Sequence, residues 1–83
     1  MYKTIVKIDG MMCGMCEAHI NDAIRKSIPE ATKVTSSHKR GESSFLTKEK
    51  PDVTGLKDAI DKTGYTVLSI DTNTYTKKGF GLF

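Results

Sequence analysis

Two cysteines lie three positions apart near the N-terminus, and the chain has no others. Cys13 and Cys16 belong to the segment Gly10-Met11-Met12-Cys13-Gly14-Met15-Cys16. Thiolate sulfur is a soft ligand that selects soft ions such as Cu(I), and two thiolates at this spacing form a chelate for one ion. A structural zinc site takes four protein ligands, so this pair supplies only half of one. The spacing therefore predicts an open site of low coordination number for a soft metal ion.

Composition narrows the class of protein. The chain has 83 residues, a formal net charge of +3 and a charged fraction of 28%, which is typical of one soluble globular domain. Its lysines are spread along the whole sequence, so we expect no nucleic-acid partner. No apolar run approaches the ~20 residues of a membrane span, and the N-terminus resembles a strand instead of a signal peptide. We therefore expect no membrane insertion and a cytoplasmic protein, in which a CxxC pair stays reduced.

Hydrophobic periodicity predicts six elements in the order βαββαβ. Residues 2–9 are rich in β-branched side chains and predict a strand. A helical period begins at Cys16 and ends before Pro29, which lacks an amide proton and clashes with the preceding turn. The remaining elements are strands at 32–37 and 43–47, a helix that begins near 52–54 and ends at Gly64, and a strand at 65–71. Two split βαβ units predict an α+β, ferredoxin-like sandwich with a four-stranded antiparallel sheet and two helices on one face.

The predicted first helix has an apolar stripe and a polar face. The stripe is expected to pack on the sheet, and the polar face is expected to contact water. The residues assigned to the polar face are Glu17, Asn21, Asp22, Arg25 and Lys26. Residues 1–71 are predicted to form the domain. Residues 72–83 show no clear period and are predicted to be a tail that is partly ordered at most.

This topology brings chemically active residues to one end of the sheet. The first strand ends there, the first helix begins there, and the hairpin turn and the end of the second helix lie there too. We therefore expect Cys13, Cys16, Tyr65 and the His38-Lys39-Arg40 turn to lie close together. Unpaired amide protons and the helix dipole at a helix start stabilise an anion, which favours the thiolate of Cys16.

The segment from Gly10 to Cys16, followed by the later Thr63-Gly64-Tyr65, resembles the heavy-metal-associated (HMA) domain family over roughly residues 2–71. The family comprises small copper chaperones and the N-terminal domains of copper-exporting P-type ATPases. The resemblance implies a Cu(I) site at Cys13 and Cys16, with Met11 as a buried support for the loop. Tyr65 matches the aromatic residue that bacterial members place beside the metal. The resemblance also implies that the protein is a carrier and not an enzyme, and that its partner is the metal-binding domain of such an ATPase. The carrier itself is expected to be a monomer or a metal-bridged homodimer.

The chain departs from the family pattern around the cysteines. Met12 replaces a residue that is usually polar, and Met15 adds a second thioether inside the chelate loop. Both could contact Cu(I) weakly or form an exposed apolar rim. His19 could support the site or simply contact water, and His38 is the weaker candidate for a ligand.

Two other functions are also compatible with the sequence. One is a buffer or detoxification module for another thiophilic ion, such as zinc, cadmium or mercury. The other is a thiol–disulfide redox protein. The redox hypothesis is disfavoured because the chain lacks tryptophan and has no proline inside the motif.

Overall fold

A computed structural model describes residues 1–12 and 14–75 of the chain. In it, four strands form one sheet, and two helices cover one face of that sheet. The elements are β1 (Tyr2–Asp9), α1 (Gly14–Ser27), β2 (Thr32–Ser37), β3 (Glu42–Thr47), α2 (Thr54–Asp61) and β4 (Thr66–Thr74). All pairings are antiparallel, and the strand order is β2-β3-β1-β4. The predicted ferredoxin-like βαββαβ sandwich is confirmed. Neither of these two helices has the length and apolar content needed to span a membrane.

The core lies between the sheet and the two helices. Alternate residues of β1 face the helices, because successive side chains of a strand point to opposite faces. These inward residues meet the apolar stripes of α1 and α2. The buried apolar side chains of this core are Val6, Ile8, Met11, Ile20, Ala23, Ile24, Ile28, Phe45, Leu56 and Ile60. Each large aliphatic side chain buried in this way stabilises the fold by about 1.5–3 kcal/mol relative to its exposed state.

Thr4 is a polar residue at a core position of β1, and its hydroxyl has a hydrogen-bond partner. Thr4 is fully buried on the inner face of β1. Its hydroxyl lies 3.0 Å from the hydroxyl of Thr72, which is its register partner on β4. A buried hydroxyl without a partner would cost about 1–3 kcal/mol, so this bond lets β1 carry a threonine at a core position.

β4 is longer and less regular than the predicted strand at 65–71. It continues to Thr74, which pairs with Tyr2, and the amide of Tyr75 donates to the carbonyl of Met1 at 2.8 Å. Three residues of the predicted tail therefore belong to the sheet, while residues 76–83 lie outside the described residues. A register shift opposite Lys7 and Ile8 leaves Leu68 as an extra residue, 65% exposed. This bulge interrupts the regular alternation of side chains between the two faces of the sheet.

Candidate metal centre

α1 presents Cys16 near its first residue. Cys16 is the third residue of the helix, is half-buried and packs against the core. The first four amides of an α-helix have no acceptor within the helix, so this position lies in a field that favours a negative charge. Cys13, the other predicted ligand, lies outside the described residues. The placement of Cys16 in the first helical turn is as predicted, although the helix begins two residues earlier than expected.

The three methionines around the cysteines differ in burial: one is buried and two are exposed. Met11 belongs to the core and is 5% exposed, whereas Met12 is 79% exposed and Met15 is 72% exposed. The predicted burial of Met11 is confirmed, while its support of a metal loop stays a prediction. Among the described residues only four large apolar side chains are exposed, and two of them are Met12 and Met15. Two exposed thioether side chains therefore lie close in sequence to Cys16.

Tyr65 lies at the same end of the sheet, beside the turn that leaves β1. Tyr65 is half-buried and packs against the core. A Cβ atom built on Gly10 would lie 3.5 Å from Cδ1 of Tyr65, so the ring lies beside Gly10 at the start of the cysteine loop. Gly10 has a φ of +99°, a conformation that favours glycine. The predicted proximity of Tyr65 to this loop is confirmed, and its proximity to a bound metal stays a prediction.

The prediction that Glu17 faces water is wrong. Its Oε2 atom accepts two hydrogen bonds from His38: one from the backbone amide at 2.8 Å and one with Nδ1 at 2.7 Å. The side chain of Glu17 is 29% exposed and that of His38 is 34% exposed. The backbone hydrogen bond is the largest cause that lowers the pKa of Glu17, followed by the imidazole hydrogen bond, while burial opposes the shift. The sequence prediction failed because His38 is 21 positions away and α1 packs on β2 only in the folded chain.

Asn21, one helical turn further, was also wrongly assigned to the water-facing side. Its side-chain oxygen accepts a hydrogen bond of 2.6 Å from the hydroxyl of Ser36. That hydroxyl also lies 2.7 Å from the hydroxyl of Ser43, which is buried on β3. Because Glu17 and Asn21 are four residues apart on one face of α1, they form two successive polar contacts between this helix and β2 with its following turn.

His19 and the basic turn occupy more exposed positions. His19 lines a groove of roughly 730 Å³ between α1 and α2, and its predicted supporting role stays a prediction. Within residues 1–12 and 14–75, no three histidine, cysteine or acidic side chains are close enough to hold a metal together. Lys39 and Arg40 are exposed in the β2–β3 turn, where Arg40 lies 3.9 Å from Glu42. The turn therefore presents positive charge at the end of the sheet where α1 begins.

Comparisons with known proteins define the class to which this fold and site belong. A solved structure described as a "CopZ metallochaperone" is 30% identical, with a TM-score of 0.69, over 80% of this chain and 98% of that chain. Oxidized MerP from Ralstonia metallidurans CH34 has the same fold, with a TM-score of 0.68 at 22% identity over 86% and 99% of the two chains. No family model matches the sequence.

A curated relative extends the comparison to a larger protein. Mercuric reductase from Lysinibacillus sphaericus is 37% identical over 65 residues, which is 78% of this chain. The chain spans about 12% of the length of that relative. The metallochaperone structure, which is 30% identical and of which this chain covers 98%, identifies the family. The chain belongs to the heavy-metal-associated domain family.

Proposed function

We propose that this chain is a carrier of Cu(I), which it holds between the thiolates of Cys13 and Cys16 and passes to a partner domain. The observation that carries the proposal is the position of Cys16. It lies in the first turn of α1, anchored on the core, while exposed thioethers flank it. The 30% identical relative is itself described as a metallochaperone.

The chemistry of such a carrier is ligand exchange and not catalysis. Each cysteine loses its thiol proton when it binds the metal, so binding releases protons to solvent. Two protein thiolates leave a coordination position that a partner's thiolate can enter. The incoming sulfur gives a three-coordinate intermediate, one of the original sulfurs then leaves, and the ion moves without entering water as an aquated species.

The proposed partner is the metal-binding domain of a copper-exporting P-type ATPase, and the proposed compartment is the cytoplasm. Lys39 and Arg40 support a partner with an acidic surface, because complementary charges steer association and fix its orientation. The relatives with solved structures include a domain described as a copper binding domain from HMA7, a P-type ATPase. Because that domain is only 18% identical, its likeness concerns the fold alone. The support for this partner is therefore the positive charge of the turn.

Anaerobic competition with a Cu(I)-specific chelator tests the proposal. We expect the reduced protein to remove one equivalent of Cu(I) from the chelator. The double variant Cys13→Ser/Cys16→Ser should abolish this competition. Met12→Leu is a matched control, since it changes an exposed sulfur in the same loop but leaves both thiols. A wild-type protein that loses to the chelator, or a double serine variant that still competes, would reject the Cu(I) carrier.

A second candidate is a buffer for another thiophilic ion, and one specific observation favours mercury. The curated relative at 37% identity is a mercuric reductase. The same titration with Hg(II), Cd(II) and Zn(II) distinguishes the candidates, with each metal offered against a competitor of known affinity. Preference for Hg(II) over Cu(I), together with failure to pass Cu(I) to an acceptor thiol pair, would replace the first proposal by the second.

A further inference from the structure

Glu17 and His38 form a contact beside Cys16, the proposed metal ligand, and neither of the two is itself proposed as a ligand. Glu17 directly follows Cys16 in the first turn of α1. His38 begins the turn between β2 and β3. One carboxylate oxygen accepts from both the backbone amide of His38 and its ring, at 2.8 and 2.7 Å. The contact thus joins the start of the helix to a different layer of the fold.

The first turn of a helix is where such a contact has most effect. Its amides have no acceptors within the helix, so helix ends fray. Further along α1, Ile20 and Ile24 are fully buried and Asn21 bonds to Ser36, so the helix body is held independently. Gly14 and Met15, the two residues that begin the helix, are exposed. The hydrogen bonds that Glu17 accepts from His38 join this first turn to the turn that follows β2.

We propose that Glu17 and His38 form a clamp that positions Cys16, so that breaking the clamp loosens the first turn of α1 and speeds metal release. Both are positioning residues that act through the helix and do not touch the metal. The inference rests on the proposed function for its metal arm alone. Since His38 lies beside Lys39 and Arg40, the clamp also joins the proposed partner-facing turn to the helix that carries Cys16.

The sign of the effect separates a clamp from a simple charge effect. A carboxylate next to Cys16 repels an anionic metal–thiolate complex, so removing its charge would by itself slow metal release. Loss of the clamp has the opposite sign and speeds it. Glu17→Ala removes both hydrogen bonds, whereas His38→Ala keeps the backbone bond and the charge of Glu17. The clamp therefore predicts faster release in both variants and a larger effect in Glu17→Ala.

Two measurements on the full chain test this inference. The first is amide hydrogen exchange of the reduced, metal-free protein at residues 18–20, whose amides donate to the first-turn carbonyls in α-helical geometry. We expect exchange there to become about five- to a hundredfold faster in Glu17→Ala, as the loss of two hydrogen bonds implies. Exchange near Ile24 should not change. Asp61→Asn is the matched control, because it removes the negative charge of the 3.0 Å pair with Lys57 on α2.

The second measurement is the rate at which Cu(I)-loaded protein loses its metal to excess chelator. We expect Glu17→Ala to speed this release by a similar factor, His38→Ala by less, and Asp61→Asn not at all. Slower or unchanged release in Glu17→Ala, or equal acceleration of exchange throughout α1, would overturn the clamp. A wild-type protein that binds no Cu(I) would reject the proposed function instead, and the exchange experiment would still decide whether the clamp holds the turn.

Discussion

The neighbouring residues Met11 and Met12 provide a direct test of how the cysteine loop is attached to the fold. Met11 is 5% exposed and belongs to the core, whereas Met12 is 79% exposed. Substituting alanine at each position removes the same atoms from two different environments. We expect Met11→Ala to destabilise the protein strongly and Met12→Ala to leave its stability nearly unchanged.

The magnitudes follow from burial. Truncation of a buried methionine to alanine costs about 2–5 kcal/mol, because the transfer free energy is lost and a cavity remains. An exposed substitution falls within about 0.5 kcal/mol of zero. At about 0.05–0.15 kcal/mol per residue, the 83-residue chain has a total stability of only about 4–12 kcal/mol. Met11→Ala therefore removes a large fraction of it and lowers Tm by at least about 8 °C, at about 4–8 °C per kcal/mol.

Urea unfolding of the reduced, metal-free protein, followed by circular dichroism, measures both changes. Met11→Leu is the matched control: it keeps nearly the same volume without sulfur, so it should cost less than about 1.5 kcal/mol. Equal destabilisation by Met11→Leu and Met11→Ala would mean that the thioether, and not the filled volume, stabilises the loop. A Met12→Ala variant as unstable as Met11→Ala would refute the assignment of one methionine to the core and the other to the surface.

Two other predictions concern the hairpin at the same end of the sheet. Gly41 has a φ of +66° and a built Cβ would lie 3.2 Å from the carbonyl oxygen of Ile8, so Gly41→Ala should cost at least about 1–2 kcal/mol. Gly55→Ala, with open space around its position in α2, should instead stabilise by about 0.5–1 kcal/mol; equal signs in urea unfolding would contradict this. The hydrogen bond from Lys7, at 2.6 Å, is the main cause that lowers the pKa of Glu42. The stability that Glu42 contributes is therefore present above about pH 4.5 and lost as the pH falls through its lowered folded pKa. Glu42→Gln should flatten the acid limb of a stability-versus-pH curve, and an unchanged limb would show that the pair contributes nothing.

The fold was predictable because its signals are local. β1 has β-branched alternation, α1 has an apolar stripe that ends before Pro29, and the second half repeats the pattern. β4 was less predictable because its register depends on pairing with β1. The bulge at Leu68 and the extension to Thr74 arise from that pairing. A strand read alone shows no reason for either feature.

The site was predictable to the extent that its residues are neighbours in sequence. The position of Cys16 follows from the strand, the turn and the start of the helix, and the resemblance to the family implies the burial of Met11. The contact of Glu17 with His38 does not, because it joins residues that only the packing of α1 on β2 brings together. The turn also contains Lys39 and Arg40, so a histidine in it resembles part of a solvated charge run. A first-turn acidic residue is a weak signal, since helix starts favour acidic residues for the dipole alone.

The two cysteine-flanking environments decide which substitutions report on metal binding and which report on folding. Cys16 and Met11 pack on the core, so changes there alter the fold and the site together. Met12 and Met15 are exposed and should be replaceable by leucine without loss of stability. Any change in metal affinity or release in those leucine variants therefore measures the thioether alone. Because Met11 is buried in the core while Met12 and Met15 are exposed, stability and the exposed thioethers can be changed independently of each other.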